Sequence, residues 1–446
     1  MADLAQLRND ARAIFEAAIQ AVDAGAAVKK AIRLDHARLI VRDRQIELYG
    51  RRIYSIAIGK AAVPLARALE EQLGSTFAEG VITAPNISET AGESSDALSS
   101  RWRRFAGGHP LPNEESLRAA RSALALLDQA NAEGAAIIFL ISGGGSAMLE
   151  RPVRDDITLA DLRTANEILV NCGASISEIN SVRRAFSAVK GGKLAARAPH
   201  CEQITLIVSD VPKGEECMVA SGPTVAVPNS FPNPLQVVEK YRLKEKLPSA
   251  IVRAVETEAA APALAQTAHE PLLLLDNDSA LKAAARAAAS RGFVFEIAED
   301  IADQPIEEGC RLLLERWAAL QTRHRGGART VCLICGGEFS CPVRGDGIGG
   351  RNLETALRIA LSTANHDSER FVALCAGTDG IDGNSPVAGA IIDNATIDRA
   401  KAIGLDAEDF LRRSDAYSFF HALGDDVFTG LTGTNVRDVR ILMALS

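Results

Sequence analysis

Two α/β domains, each built on a mostly parallel sheet covered by helices, are what this sequence predicts, and three observations predict them. The chain has 446 residues, more than one core usually serves at a soft prior of ~150 residues per domain. Short continuous runs of Ile, Leu and Val recur between longer stretches of helical pattern, as expected of strands buried on both faces. Several of these runs end directly in turns bearing Gly, Ser or Asp, as strands do at the carboxyl edge of a doubly wound sheet.

The elements follow in order. Leu4, Leu7, Ile14, Ala18 and Val22 recur every three or four positions, which makes Met1 to Lys30 an amphipathic helix. Strands are predicted at Ile53–Ile58, Gly80–Thr83, Ala136–Ile141 and Ile204–Val208. A second series is predicted at Leu272–Leu275, Phe293–Ile297, Val331–Cys335, Phe371–Cys375 and Ala390–Ile392. Prolines at 223, 228, 232 and 234 interrupt helix and strand alike and mark a change of domain. We therefore divide the chain into 1–235 and 236–446, two Rossmann-like α/β domains with an active-site cleft between them. No fixed-period repeat is present, and only Ala259–Ala268 approaches low complexity.

Composition narrows the functions. An apolar fraction of 47% suits large cores, and 24% charged residues of mixed sign suit a soluble surface. A net charge of −8 argues against nucleic-acid or anionic-membrane partners, which require concentrated basic surface. The amphipathic start is not a signal peptide, and runs such as Ala135–Ile141 fall far short of the ~20 residues of a membrane span, so a cytoplasmic location is expected. Cys332 and Cys335 form a C-x-x-C pair, but inside a strand they point to opposite faces and read as core thiols.

The chemistry is concentrated in the turns. Strand Ala136–Ile141 runs into Ser142-Gly143-Gly144-Gly145-Ser146, where three glycines let backbone N–H groups approach an anion and two hydroxyls add donors. The first strand ends in Gly59-Lys60-Ala61-Ala62, which puts a lysine beside a helix start, where it suits an anionic ligand. It is not a Walker A motif, because Tyr54 stands where that motif needs its first glycine and Ala61 where it needs Ser or Thr. His109, after Gly107-Gly108 and before Pro110, could bond a substrate oxygen or move a proton, ahead of a helix opening near Asn113.

A helix over Glu178–Val189 would align Asn180, Arg183, Ser187 and Lys190 on one face; Asn180 and Arg183 are site candidates, while Lys190 and Gly191 read as helix capping. Asp210 follows strand Ile204–Val208, and Asp379 and Asp382 lie in the turn Gly377–Gly383; such hard oxygens suit Mg²⁺. Gly345-Asp346-Gly347-Ile348-Gly349-Gly350 matches G-x-G-x-x-G literally but does not directly follow a strand, as a dinucleotide fingerprint must. Arg351, just before a helical stretch Asn352–Leu361, could grip a carboxylate or phosphoryl group with its planar fork. Thr429–Asn435 offers another donor-rich turn.

In order along the chain, Ile58–Ala61, Gly108-His109-Pro110, Ser142–Ala147, Asn180 to Lys193, Ala220–Thr224, Gly336-Gly337-Glu338, Gly349–Asn352, Gly377–Gly383 and Gly433-Thr434-Asn435 form a set that resembles the glycerate 2-kinase family. The second domain of that family is called the leucine-rich multi-organism fragment domain. The resemblance implies ATP-dependent phosphorylation of D-glycerate at its 2-hydroxyl with Mg²⁺, and catalytic roles for Lys60 and Arg351. Relatives commonly follow Gly-Gly-Glu with threonine, where this chain has Phe339-Ser340, so the polar contacts of that loop are in question.

The expected arrangement therefore has Lys60 and Arg351 catalytic, one from each domain. Ser142, Gly143, Gly144, Gly145, Ser146, Asn180 and Arg183 bind the ATP, His109 and Asp379 the substrate, and Asp210 or the Asp379/Asp382 turn the Mg²⁺. The glycine turn could equally hold the glycerate carboxylate. The alternative activity is a nicotinamide-dependent hydroxypyruvate or tartronate-type reductase, opposed by the missing fingerprint. A non-catalytic sensor of hydroxy acids would need no convergence of Lys, Arg and carboxylates. Partners are small molecules, and homodimer formation is left open.

Overall fold

The computed structural model describes residues 4–85, 87, 98–225, 231–259, 270–325, 330–364 and 370–445. Pro228 and most of the alanine-rich stretch, 260–268, lie outside the described residues. The chain forms two compact units, Ala24–Leu275 and Met1–Asp23 together with Asp276–Ser446. The expected break at 235/236 falls inside the first of these. There Pro234 starts a helix instead of marking the end of a domain: Asn233 caps Pro234–Lys240 through its side chain, with Pro234 in the first turn where its missing N–H costs nothing. That helix and Ser249–Ala259 share a core with Leu159–Asn171 and Ile176–Phe186.

Unit Ala24–Leu275 carries a six-stranded, wholly parallel sheet. Its spatial order is Trp102–Ala106, Phe77–Ala84, Ile53–Ile58, Ala136–Ser142, Glu202–Val208 and Leu272–Leu275. Numbered along the chain, this is 3-2-1-4-5-6, the order of dinucleotide-binding sheets. Ile53–Ile58 and Ala136–Ser142 are buried along their whole length, which explains their unbroken apolar sequences. Leu272–Leu275, expected to open the second series, instead pairs with Glu202–Val208 and closes this sheet. A separate antiparallel sheet of Ile32–Asp35, Arg38–Val41 and Arg44–Glu47 was not anticipated.

The second unit holds a six-stranded sheet in the order Val294–Ala298, Val331–Cys335, Asp438–Ala444, Phe371–Gly377, Gly389–Asp393 and Asp426-Val427. It is mixed, which corrects the expectation of a mostly parallel sheet here. Val294–Ala298 and Val331–Cys335 pair parallel, whereas Asp438–Ala444 runs antiparallel to both its neighbours. Phe371–Gly377 is followed after a short connection by antiparallel Gly389–Asp393, and so short a link cannot make a parallel crossover. Cys332 and Cys335 are both fully buried in Val331–Cys335, as core thiols.

The N-terminal pattern resolves into two helices, Leu4–Ala21 and Ala24–Ala31, which belong to different units. The first packs on helix Asn277–Ser290, and Arg8 pairs with Asp393 and Asp425. Among the described residues, no helix is long and apolar enough to cross a membrane.

Candidate active site

In a sheet of order 3-2-1-4-5-6, neighbouring strands 1 and 4 send their chains to opposite sides, leaving a crevice outside their carboxyl ends. Here those strands are Ile53–Ile58 and Ala136–Ser142, so the Gly59-Lys60 turn and the Ser142–Ser146 turn meet at the switch point. They are stitched together. Lys60 N donates to Gly143 O at 2.9 Å, Ala61 N to Ser142 Oγ at 3.0 Å, and Ser142 Oγ to Ile58 O at 3.0 Å. Gly59 has φ +108°, and a side chain on it would collide with Ser142, so only glycine allows the two turns to touch. Ser142 is fully buried and its hydroxyl is committed to this stitch, a structural task in place of the ligand donor expected of it.

The rest of the turn faces other candidates. The Asp210 carboxylate lies directly against the Gly143 α-carbon, and the His109 ring lies beside Gly144. Ser146 Oγ lies 2.8 Å from Ser221 Oγ, which donates to Asn180 Oδ1 at 2.8 Å. Asn180 is buried and held by its helix, whose Ser175 N-cap forms a capping box with Glu178. Lys60, His109, the glycine turn, Asn180 and Asp210 thus belong to one neighbourhood. Arg183 is held elsewhere through its Nε, which donates to Asn166 Oδ1 at 2.7 Å, and burial lowers its pKa against the pull of Glu150.

Helix Ile176–Phe186 ends before Ser187 and Lys190, which corrects the reading of one long polar stripe and of Lys190 as a cap. Lys190 is a buried ion-pair partner of Glu150, both 2% exposed, and Ser187 Oγ donates to Glu150 Oε1 at 2.6 Å. Burial drives the Lys190 pKa down while Glu150 pulls it up. Arg184 is the neighbour with a site task, since its Nε donates to Ser221 O at 3.3 Å. Ala220, Ser221 and Gly222 all have positive φ, a rare run whose carbonyls take the N–H groups of Gly191 and Gly192.

In the second unit Arg351 is the first residue of helix Arg351–Thr363. Its guanidinium makes a two-pronged pair with Asp438, Nε to Oδ2 at 2.7 Å and Nη2 to Oδ1 at 2.9 Å, and Nη2 also reaches Glu338 at 2.8 Å. Burial opposes its charge, but Asp438 and Glu338 outweigh that and raise its pKa. Asp438 is itself gripped from behind by Arg440 Nη2 at 3.0 Å, and the two guanidinium groups hold its carboxyl low despite complete burial. Arg440 lies 3.8 Å over the Phe339 ring. The Phe339 that departs from the family pattern is therefore a buried stacking platform, fitted over Gly309, where any side chain would strike its ring.

Asp382 has a different task from the metal ligation expected of it. Its Oδ1 accepts from Asn352 N at 3.1 Å and its Oδ2 from Leu353 N at 2.8 Å, so it neutralises the start of the Arg351 helix. Complete burial lifts its carboxyl to about 6 in spite of those bonds. Asp379 is half-buried, with Oδ1 accepting from Ile381 N at 3.2 Å, in a turn tied to Thr432 through Thr432 Oγ1 and Thr378 O at 2.6 Å. Among the described residues there is no group of three or more His, Cys, Asp or Glu placed to hold a metal.

Asp438, Glu338 and Arg440 were not recognised as partners of Arg351. Only Glu338 had a signal, as part of the Gly336-Gly337-Glu338 motif.

Comparison with known proteins bears on the whole chain. Residues 10–256 match a family model described as a domain of unknown function, DUF4147, and residues 331–438 match the MOFRL family. D-glycerate 2-kinase of Thermotoga maritima is 33% identical, covering 93% of this chain and 96% of its own. Glycerate 2-kinase of Pyrococcus horikoshii is 34% identical, covering 96% and 95%. The crystal structure of glycerate kinase from Thermotoga maritima superposes with a TM-score of 0.80 at 31% identity, covering 98% of this chain and 99% of that one. A relative from Agrobacterium vitis, 33% identical over 98% of this chain and 94% of its own, carries a hydroxypyruvate reductase name given only provisionally. With its motifs in order, its two units and this near-complete coverage, the chain belongs to the glycerate 2-kinase family.

Proposed function

We propose that this protein transfers the γ-phosphoryl group of ATP to the 2-hydroxyl of D-glycerate, giving 2-phosphoglycerate and ADP, in the cytoplasm. The observation that carries the reading is near-full-length similarity to glycerate 2-kinases, with Lys60 at the switch point of a 3-2-1-4-5-6 sheet. Phosphoryl transfer asks a protein mainly for positioning and charge neutralisation, and the residues offer both. Lys60 supplies a compact positive charge on a flexible stem and Arg351 a fixed planar one. The Gly143–Ser146 turn and His109 orient an anionic substrate, and the Asn180–Ser221–Ser146 chain of hydrogen bonds holds the turn in place. Expulsion of water from the assembled site would protect ATP from hydrolysis.

Mg²⁺ fits this donor set, because it takes only one or two carboxylates and leaves its other positions to phosphates and water. Asp210, a half-buried hard-oxygen donor beside the glycine turn, is our choice to hold it, with Asp379 second; Asp382 is set aside because both its oxygens serve helix Arg351–Thr363. When bound, the ion neutralises phosphate charge.

The reductase reading draws on the strand order, but the first turn offers Gly59-Lys60 and no glycine-rich fingerprint. One assay separates the two. Product from ATP and D-glycerate should be consumed by enolase, which accepts 2-phosphoglycerate and not 3-phosphoglycerate. ADP release without enolase turnover would sink the regiochemistry, and NADH oxidation with hydroxypyruvate in place of ADP release would sink the kinase.

A further inference from the structure

Beside Arg351 lies a cavity of ≈ 390 Å³ whose other lining residues the reading above does not use. This falls within the roughly 300–1,000 Å³ of pockets for drug-sized ligands, and it is far more than a three-carbon acid can fill. Three segments line it, the first two bearing glycine: Cys341–Gly350, Gly383-Asn384 and the stretch around Ser414 and Ala416. The glycines permit this approach, since a side chain on Gly345 or Gly347 would strike Arg413 or Asp415, and one on Gly350 would strike Asp382.

The chemistry of its wall is graded. Pro342 and Val343 present apolar surface, with Val343 79% exposed, and the buried Phe339 and Ala416 complete the apolar lining. Glu354, though buried, is also among the lining residues; among the described residues its Oε2 accepts from the Cys341 thiol at 3.2 Å, while Arg358 holds Oε1. Arg351 is also in the wall and carries the positive charge.

An anion does not belong in the body of this cavity. The N–H groups of Gly347, Ile348 and Gly349 already donate to Arg413 O, Asp415 Oδ1 and Asn384 Oδ1, so the glycine loop is no phosphate cradle. The helix start is already neutralised by Asp382. What fits is a ligand with a flat apolar body, an amino group to donate to a carboxylate, and an anionic tail for an arginine.

We propose that this cavity receives the adenosine moiety of the nucleotide, base against Phe339, Pro342 and Val343, 6-amino group toward Glu354 Oε2, and phosphates toward Arg351. The assignment rests on the kinase reading and divides its labour: the nucleotide belongs to the Arg351 unit, which leaves the Ser142–Ser146 turn to the glycerate carboxylate.

The test uses the full chain. Val343→Trp fills the cavity and Val343→Asp removes its apolar wall, both at an exposed position where the fold is not at stake; Ile403→Trp, 57% exposed and outside the cavity wall, is the control. Each Val343 variant should weaken ADP binding by calorimetry, and raise the KM for ATP, by about tenfold or more, with the KM for glycerate and the melting temperature held. Photolysis of bound 8-azido-ADP should label peptides within 339–350 or 413–417. Unchanged ADP affinity in both variants, or label confined to the Ala24–Leu275 unit, would overturn the assignment. A wild-type protein that binds ADP in this cavity but transfers no phosphoryl group to glycerate would overturn the kinase reading and leave the cavity's ligand standing.

Discussion

The two basic residues at the centre of the proposed chemistry are held in opposite ways. Lys60 is placed through its backbone, by bonds that lock the Gly59-Lys60 turn to Gly143 and Ser142, and its side chain is a half-exposed stem. Arg351 is placed through its side chain, by two carboxylates, one of them backed by Arg440. The first design brings a compact ammonium to the glycine turn, and the second fixes a planar charge in direction. A side-chain-placed residue depends on every partner in its chain of contacts.

The largest test of this contrast is substitution at the two centres. Lys60→Ala and Arg351→Ala should each lower kcat/KM by about 10³-fold. Arg351→Lys should recover little, because an ammonium cannot make the two-pronged pair with Asp438. Wild-type turnover in either alanine variant at saturating ATP and glycerate would remove that residue from the mechanism.

The next test moves one step out. Asp438→Asn leaves Arg351 and the buried Arg440 without their anion, so it should cost about 3 kcal/mol of stability and cut kcat about tenfold. Lys190→Met, which strands the buried Glu150, should cost a similar ~3 kcal/mol, and the double change Glu150→Gln/Lys190→Met should recover part of it. Chemical denaturation measures both. If the double variant is no more stable than the single one, the pair is not the source of the loss.

The smallest effect concerns Asp382. Its folded pKa, about 6, lies above the ordinary 3.8, so the protonated form is favoured in the folded state. Its stabilising contribution is fully present below the unfolded value and is lost as pH rises through about 6. The melting temperature of the native protein relative to Asp382→Asn should therefore fall across that window and stay level above it. A pH-independent difference would show that Asp382 titrates alike in the folded and unfolded states.

How far the sequence revealed all this follows the same division. The strands at Ile53–Ile58, Ala136–Ser142 and Val331–Cys335 were legible because nothing charged interrupts them. Asp438–Ala444 was not, since Asp438 and Arg440 break an otherwise apolar run and become buriable only by pairing with each other and with Arg351. Lys190 looked like a helix cap because its partner Glu150 lies 40 residues away, where no local pattern can show it. Trp102–Ala106, an edge strand with two arginines, hid for the same reason as Asp438–Ala444. Lys60 and the glycine turn were visible because local rules for strand ends and turns specify them, whereas the surroundings of Arg351 are specified by partners far along the chain.

Helix Leu4–Ala21 belongs with residues 276–446, while everything from 24 to 275 forms the other unit. In the order of synthesis, this helix precedes the whole unit that separates it from its seat. Its partner helix Asn277–Ser290 and the acids that grip Arg8, Asp393 and Asp425, are all made after the complete intervening unit. Until then the apolar stripe of this amphipathic segment waits uncovered. Assembly of the Arg351 unit is thereby tied to synthesis of the segment that begins at Asp276.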